Sequence, residues 1–471
     1  MRLGKTTLIH FGSQVVLSVA GFVATFVIAR LLGASGLGVY SIVVALVFWL
    51  NVPTVAVATA VSKRLSEGID QGTYLSSGYV LNGLIGAGFA LVVVLLAGYV
   101  NDYVGAEVSW LLAAILLANA AFVTTKSALT GQKRVAASGI LGAFERVSRT
   151  GVQVALLLIG WQLIGLLVGY ATSMFVAAVL GVLLFEVRPS RPTADSLASL
   201  GEFARYSWLG TLKSRAFGWM DTIFLAIFVP SALIGIYEAS WTLAATLTMV
   251  SLSVRQTLFP EMSELGVEGE FDRIHHYLNE GFVFTGVFAI PGLLGAAVLG
   301  GRVLKIYSPS FSQGALILVV LIVAQTVSAF GSQFLNAVNA IDRPDVAFRI
   351  NAAFVGANLL LNAVLIWQFG WYGAAVATTL SAGLSLGLGY VALTRLIGPP
   401  DIPVREIGRQ ILASTVMAAV VYGLTRITPP DNYVTIGLVG VGAVVYTSVL
   451  IAISPRVRHK AWALFPGTTP A

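Results

Sequence analysis

Fourteen mainly apolar stretches follow one another along this chain, and each approaches the roughly 20 residues that a helix needs to cross a bilayer. They begin with Leu8–Leu31, Leu37–Val61, Tyr79–Val100, Ser109–Leu129, Val135–Gly160 and Leu163–Phe185. Phe203–Val229, Leu233–Leu258, Tyr277–Leu299, Gln313–Ala337, Val346–Phe369 and Tyr372–Leu396 come next, and Ile407–Leu424 and Val434–Ile453 close the series. Hydrocarbon offers no partner to a backbone N–H or C=O, so stretches of this length must satisfy themselves as helices. The expectation is an all-α membrane protein with about fourteen transmembrane helices. Charged residues are only 10% of the chain, against about 25% in soluble domains. The 49 glycines suit helices that approach closely in lipid. With no cysteine, and with His10, His275, His276 and His459 scattered, no metal site and no cofactor are expected.

The basic residues orient the spans. Placing the N-terminus inside puts 20 Lys and Arg on the inner side, among them Lys63, Arg64, Lys133, Arg134, Arg188, Arg191, Arg343 and Arg456. The outer side receives 4, namely Arg30, Arg302, Lys305 and Arg426. The positive-inside rule then predicts a multi-pass protein of the cytoplasmic membrane with both termini cytoplasmic. The net charge of +7 reflects this orientation and contact with anionic membrane lipid, and no nucleic-acid partner is expected. Behind Met1-Arg-Leu-Gly-Lys5 the apolar stretch continues to Leu32, too long for a signal peptide, so it reads as a first span. The connecting loops leave no room for a soluble catalytic domain. The longest are Gly300–Ser312 outside and Glu186–Glu202 inside.

The chain carries an internal echo. Gly38-Val-Tyr-Ser41 and Gly235-Ile-Tyr-Glu238 are separated by 197 residues, and the same offset places Ser66-Glu67 on Ser263-Glu264. Gly165-Leu-Leu-Val168 with Ser173 resembles Gly373-Ala-Ala-Val376 with Ser381, at an offset of 208. With the span count, these matches predict two parallel six-helix lobes and an extra C-terminal pair. The lobes would be 1–186 (helices 1–6) and 203–397 (helices 7–12), joined by a cytoplasmic linker over 187–202. Helices 13–14 and a cytoplasmic tail would occupy 398–471.

Charges inside the stretches are the candidate site, because a charge at the centre of a membrane helix costs at least ~2.5–3.5 kcal/mol. Stretch five holds Glu145, Arg146 and Arg149, with Glu145, Arg149 and Gln153 spaced to share one face. Stretch seven holds Lys213, Arg215 and Asp221. Arg146, Arg149, Lys213, Arg215 and Arg255 are the candidate substrate-binding cations, with Glu145 and Asp221 as orienting or ion-coupling partners. The plain alternatives are a salt bridge within stretch five, and pairing of Asp221 with a cation of its own stretch. The polar stripe Gln325, Ser328, Ser332, Gln333, Asn336, Asn339 reads as glue between helices, with sugar binding as its alternative. Trp208 and Trp219 read as interfacial anchors or sugar-stacking rings. Pro53 and Pro291 should kink their helices.

Ala29-Arg-Leu-Leu-Gly-Ala-Ser-Gly-Leu-Gly-Val-Tyr-Ser41 resembles the first loop of polysaccharide exporters of the O-antigen flippase (Wzx) type. These belong to the multidrug/oligosaccharidyl-lipid/polysaccharide exporter superfamily. Gly235-Ile-Tyr237 resembles their second-half loop, and Asp221-Thr-Ile-Phe-Leu225 the Asp-containing segment of their seventh helix. The resemblance spans about the whole chain. It implies a V-shaped pair of six-helix lobes and alternating access. It also implies a substrate built of a sugar or oligosaccharide on a polyprenyl or dolichyl (di)phosphate, with glycan-assembly enzymes as partners.

The expected function is therefore a flippase of lipid-linked glycan for polysaccharide or glycoprotein biosynthesis, and not an enzyme. Two alternatives stand beside it. A cation-coupled multidrug antiporter would need acidic cavity groups, whereas the deep charges here lean basic. A membrane-embedded glycan polymerase or ligase would need long outer loops and a nucleophile–base set, neither of which the sequence offers.

Overall fold

The computed structural model describes residues 2–207 and 209–458, with side chains from Gly21 onward except 206–211, 214 and 250. Trp208, His459, Lys460 and the rest of the tail lie outside the described residues, as do the side chains of Arg2, Lys5 and His10. The first helices are α1 (Arg2–Leu50), α2 (Val52–Ser66), α3 (Gln71–Leu95), α4 (Ala97–Val104), α5 (Ser109–Gly131), α6 (Val135–Leu158) and α7 (Gln162–Val182). After them come α8 (Ala194–Ser207), α9 (Leu209–Phe228), α10 (Ser231–Glu268) and α11 (Phe271–Lys305). A 3₁₀ turn over Pro309–Gly314 leads to α12 (Ala315–Ala340), α13 (Pro344–Phe369), α14 (Trp371–Ile397), α15 (Val404–Ile427) and α16 (Asn432–Ile453). The protein is all-α, and each of the fourteen apolar stretches is helical.

Among the described residues, eleven helices are long and apolar enough to cross a membrane. The shortfall has a physical origin. Stretches one and two merge in α1, whose break is a single residue, Gly33 (φ 70°, ψ −172°), a conformation that a side chain would strain. Two further stretches are helical but carry three charges each. These are α6, with Glu145, Arg146 and Arg149, and α9, with Lys213, Arg215 and Asp221.

Several connections differ from expectation. Stretch two is interrupted at Asn51, ahead of Pro53, whereas Pro291 lies inside an unbroken α11. The loop expected outside after stretch nine is short, because α11 runs on to Lys305 and the 3₁₀ turn begins at Pro309. The segment 187–202 contains the start of a helix. Thr193 and Ser196 bond reciprocally, Thr193 N to Ser196 Oγ (3.1 Å) and Ser196 N to Thr193 Oγ1 (3.2 Å). That reciprocal cap starts α8. Leu200 of α8 then joins a core with Val57, Val61, Leu65 and Leu75, and Ser196 meets Ser77 of α3 at 2.6 Å.

The chain divides into two compact units, Val19–Gly235 and Met1–Ser18 with Ile236–Ala471. The division falls after the seventh apolar stretch. Within the first unit, α1 and the start of α10 cross on the two echoed glycines. A Cβ on Gly38 would collide with the Ser231 carbonyl, and a Cβ on Gly235 with the Ala34 carbonyl. Both clashes keep the offset of 197, so the contact is reciprocal. Ser35 and Ser231 hydroxyls close it at 2.8 Å.

A second echo lies in the turns. In the first unit Gln132, Lys133 and Arg134 donate their N–H groups to Ala128, Thr130 and Leu129. In the second, Ile341, Asp342 and Arg343 donate to Ala337, Asn339 and Val338. All these atoms correspond at an offset of 209, and the central residues share a left-handed backbone, Lys133 at φ 61° and Asp342 at φ 58°. Ser173 and Ser381 likewise donate to carbonyls four residues earlier, at 2.6 and 2.7 Å.

In the second unit α15 and α16 are fastened along α11. Arg302 donates to the Thr425 carbonyl (2.8 Å), Gln410 to the Val283 carbonyl (3.0 Å), and Arg456 to Asn279 (2.7 Å) and Glu280 (2.5 Å). Met417, Val421, Leu438, Tyr446 and Leu450 pack the core between these bonds.

Candidate functional site

In the first unit the site is built from α6 outward. Ser138, Leu141, Glu145, Gln153 and Leu157 are buried on one face of that helix, recurring every three to eight residues as a helical stripe must. Arg149 lies on the same stripe, and its Nε is 3.3 Å from the Glu145 carboxylate. Its guanidinium also lies over the Tyr170 ring, 4.5 Å from the centroid. Gln153 donates to the Tyr40 hydroxyl (3.0 Å) and to the Leu166 carbonyl (2.8 Å), tying α6 to α1 and α7. Arg149 is thus fixed by a carboxylate on one side and an aromatic face on the other, an arrangement worth about 0.5–2 kcal/mol for the ring alone. Arg146, one step around the helix, is exposed. Lys126 of α5 reaches the same helix: a Cβ on Gly142 would lie 3.2 Å from its ammonium nitrogen.

Helix α9 brings the second pair of cations. Arg215 lies over the Phe48 ring at 4.6 Å, and Trp219 stacks on the same ring with centroids 4.9 Å apart. One terminal nitrogen of Arg215 is buried with no hydrogen-bond acceptor among the described residues. Lys213 is half-buried and Asp221 is buried, and both engage other groups.

Arg255 belongs to the second unit. It lines a cavity of about 450 Å³ with Gln256, Phe259, Asn336, Asn339 and Asp342. The polar stripe on α12 divides in use. Gln333 donates to Ser251 (3.3 Å) and Asn336 to the Arg255 carbonyl (3.3 Å), which is helix-to-helix fastening. Asn339 is exposed and faces the cavity.

Sequence reasoning missed Tyr40, Phe48, Lys126 and Tyr170. For Tyr40 a signal existed, since it lies in the echoed Gly38-Val-Tyr40. Tyr170 and Phe48 are aromatic residues in apolar helices, where nothing local separates a stacking partner from a core ring.

Residues 3–266 match the family described as polysaccharide biosynthesis protein. A probable flippase of Haloferax volcanii, AglR, is 31% identical over 98% of this chain and 98% of its own length. A probable low-salt glycan biosynthesis flippase of the same organism, Agl15, is 26% identical over 92% of each chain. Among solved structures, lipid II flippase MurJ in an inward closed conformation superposes with a TM-score of 0.79 at 15% identity, covering 94% of this chain and 98% of MurJ. That likeness places the fold. A family match over more than half of the chain and a relative above 30% identity along nearly all of it place the lineage: this chain is a member of the polysaccharide biosynthesis protein family.

Proposed function

We propose that the protein flips a sugar or oligosaccharide linked to a polyprenyl or dolichyl phosphate or diphosphate across the cytoplasmic membrane. The observation that carries this reading is the cationic excess inside α6 and α9. Arg146, Arg149, Lys213 and Arg215 stand against Glu145 and Asp221. A phosphate entering a site with little water needs cationic donors, and guanidinium groups suit it best because they donate two parallel hydrogen bonds. Arg149 is held between the Glu145 carboxylate and the Tyr170 ring, Arg215 lies over the Phe48 ring, and one buried donor of Arg215 has no acceptor among the described residues. The names of AglR, a probable flippase, and Agl15, a probable low-salt glycan biosynthesis flippase, support this reading.

In this proposal Glu145 orients Arg149, and Arg255 is a further substrate-binding cation, at its own cavity. Residues 1–186 and 203–397 alternate access, the substrate crosses without chemical change, and glycan-assembly enzymes supply and consume it. Both termini face the cytoplasm, consistent with the 20-to-4 distribution of basic residues. Cysteines placed at Ser190 and Ser310 would label from inside and outside respectively, and the reverse pattern would sink the orientation.

The functional test is translocation of a lipid-linked glycan by the protein in liposomes. Arg149→Ala and Arg215→Ala should each lower transport roughly ten- to a hundredfold, the equivalent of a charge-assisted hydrogen bond of about 1.5–3 kcal/mol. Wild-type transport in both variants would remove the cations from the substrate path. A loss of thermal stability that accounts for the lost transport would make them structural instead.

A further inference from the structure

The cavity beside Arg255 has a chemistry unlike that of the α6–α9 cluster. It holds one cation (Arg255), one carboxylate (Asp342), three amides (Gln256, Asn336, Asn339) and one aromatic ring (Phe259). Its charges cancel, so it is poorly suited to a bare phosphate. Carboxylate, amide and guanidinium groups each present two hydrogen-bonding positions in a plane. A neutral polyol offers pairs of neighbouring hydroxyls, each both donor and acceptor, which such groups can span. Phe259 is 38% exposed and leaves a ring face for the C–H side of a sugar. About 450 Å³ is within the roughly 300–1,000 Å³ range of small-ligand sites.

The polar groups are also held in place. Asn336 donates to the Arg255 carbonyl (3.3 Å), which fixes α10 against α12 at the cavity and leaves the amide oxygen as an acceptor. Asn339 donates to the Leu335 carbonyl (2.8 Å), again leaving its oxygen. Asp342 rides on a turn closed by its own N–H to the Asn339 carbonyl (3.1 Å). Groups already held in position lose less freedom on binding.

We infer that this cavity is a saccharide subsite, in which Gln256, Asn339 and Asp342 hydrogen-bond sugar hydroxyls and Phe259 packs on the ring. The inference rests on the flippase reading and deepens it, by assigning recognition of the glycan to residues separate from the α6–α9 cations.

The test uses the full chain in liposomes with two substrates, a lipid-linked glycan and the same lipid phosphate without sugar. Gln256 and Asn339 are exposed, so Gln256→Leu and Asn339→Leu should fold. Each should raise KM for the glycan-bearing lipid about three- to tenfold, the loss of one or two ordinary hydrogen bonds. The sugar-free lipid should be handled by the variants as by wild type, at unchanged melting temperature. Unchanged KM for the glycan-bearing lipid in both variants would overturn the subsite. An equal rise for both lipids would overturn it too, by making the cavity a phosphate site. Wild-type protein that moves neither lipid would instead defeat the flippase reading, and this inference with it.

Discussion

Between α5 and α6 the chain turns on Lys133, and between α12 and α13 it turns on Asp342. Both turns close with the same three backbone hydrogen bonds and the same left-handed central residue. The side chains that the shared backbone presents are different. Positions Ser127, Thr130 and Lys133 of the first turn correspond to Asn336, Asn339 and Asp342 of the second. In the first, the Thr130 hydroxyl is committed to its own surroundings, at 3.1 Å from the Lys126 carbonyl and 2.9 Å from Ser138. In the second, longer amides and a carboxylate border a cavity. One turn is a joint between two helices; the other is a joint that also carries a polar wall. The repeat preserved backbone geometry and let side chains diverge, so the two units can offer different chemistry from one scaffold.

The largest expected effect concerns the repeat itself. Gly38→Ala and Gly235→Ala each drive a methyl into a backbone carbonyl that cannot rotate away. Each should lower stability by about 1–3 kcal/mol or more, the cost of overpacking, measured by thermal unfolding in detergent. Tolerance of one and not the other would break the reciprocity of the crossing.

A smaller effect separates the two turns. Thr130→Val removes a hydroxyl with two internal partners and should cost about 0.5–1.5 kcal/mol. Asn339→Leu, exposed and with its side chain bonded to Leu335 of its own helix, should stay within about 0.5 kcal/mol of wild type. Equal losses would mean that Asn339 is as structural as Thr130, and the contrast drawn between the turns would fail.

The smallest effect tests the shared backbone. Glycine at a left-handed position relieves steric strain but frees the unfolded chain, so the net change is a fraction of 1 kcal/mol. Lysine suits this conformation less well than aspartate. Lys133→Gly should therefore gain a few tenths of a kcal/mol more than Asp342→Gly. A larger gain at Asp342 would mean that its turn is the strained one.

Some of the site was readable from spacing. Glu145, Arg149 and Gln153 at intervals of four predicted a common face on α6, and the face exists, because helical periodicity is local. The echo at Gly38 and Gly235 was readable as identical residues, but not that the two glycines touch. The 128–134 and 337–343 turns share only Ala128 with Ala337 and Arg134 with Arg343, too little to show their likeness until hydrogen bonds could be compared. Gln333, Asn336 and Asn339 looked like one stripe. Two fasten helices and the third opens to a cavity, a distinction made by the neighbouring helices and absent from the stripe.

The sequence by itself determined the class of solvent and the helical character, and it predicts the polarity of the chain. Hydrocarbon leaves apolar stretches of about 20 residues no alternative to the helix, and Lys and Arg resist transfer across the membrane. Tertiary structure decided which charges keep company. Arg149 lies over Tyr170 and Arg215 over Phe48, rings that come from other helices, while Arg255 stands among amides. Those environments depend on helix packing across long sequence separations, where contacts are set by the shapes of whole helices and no short segment encodes them.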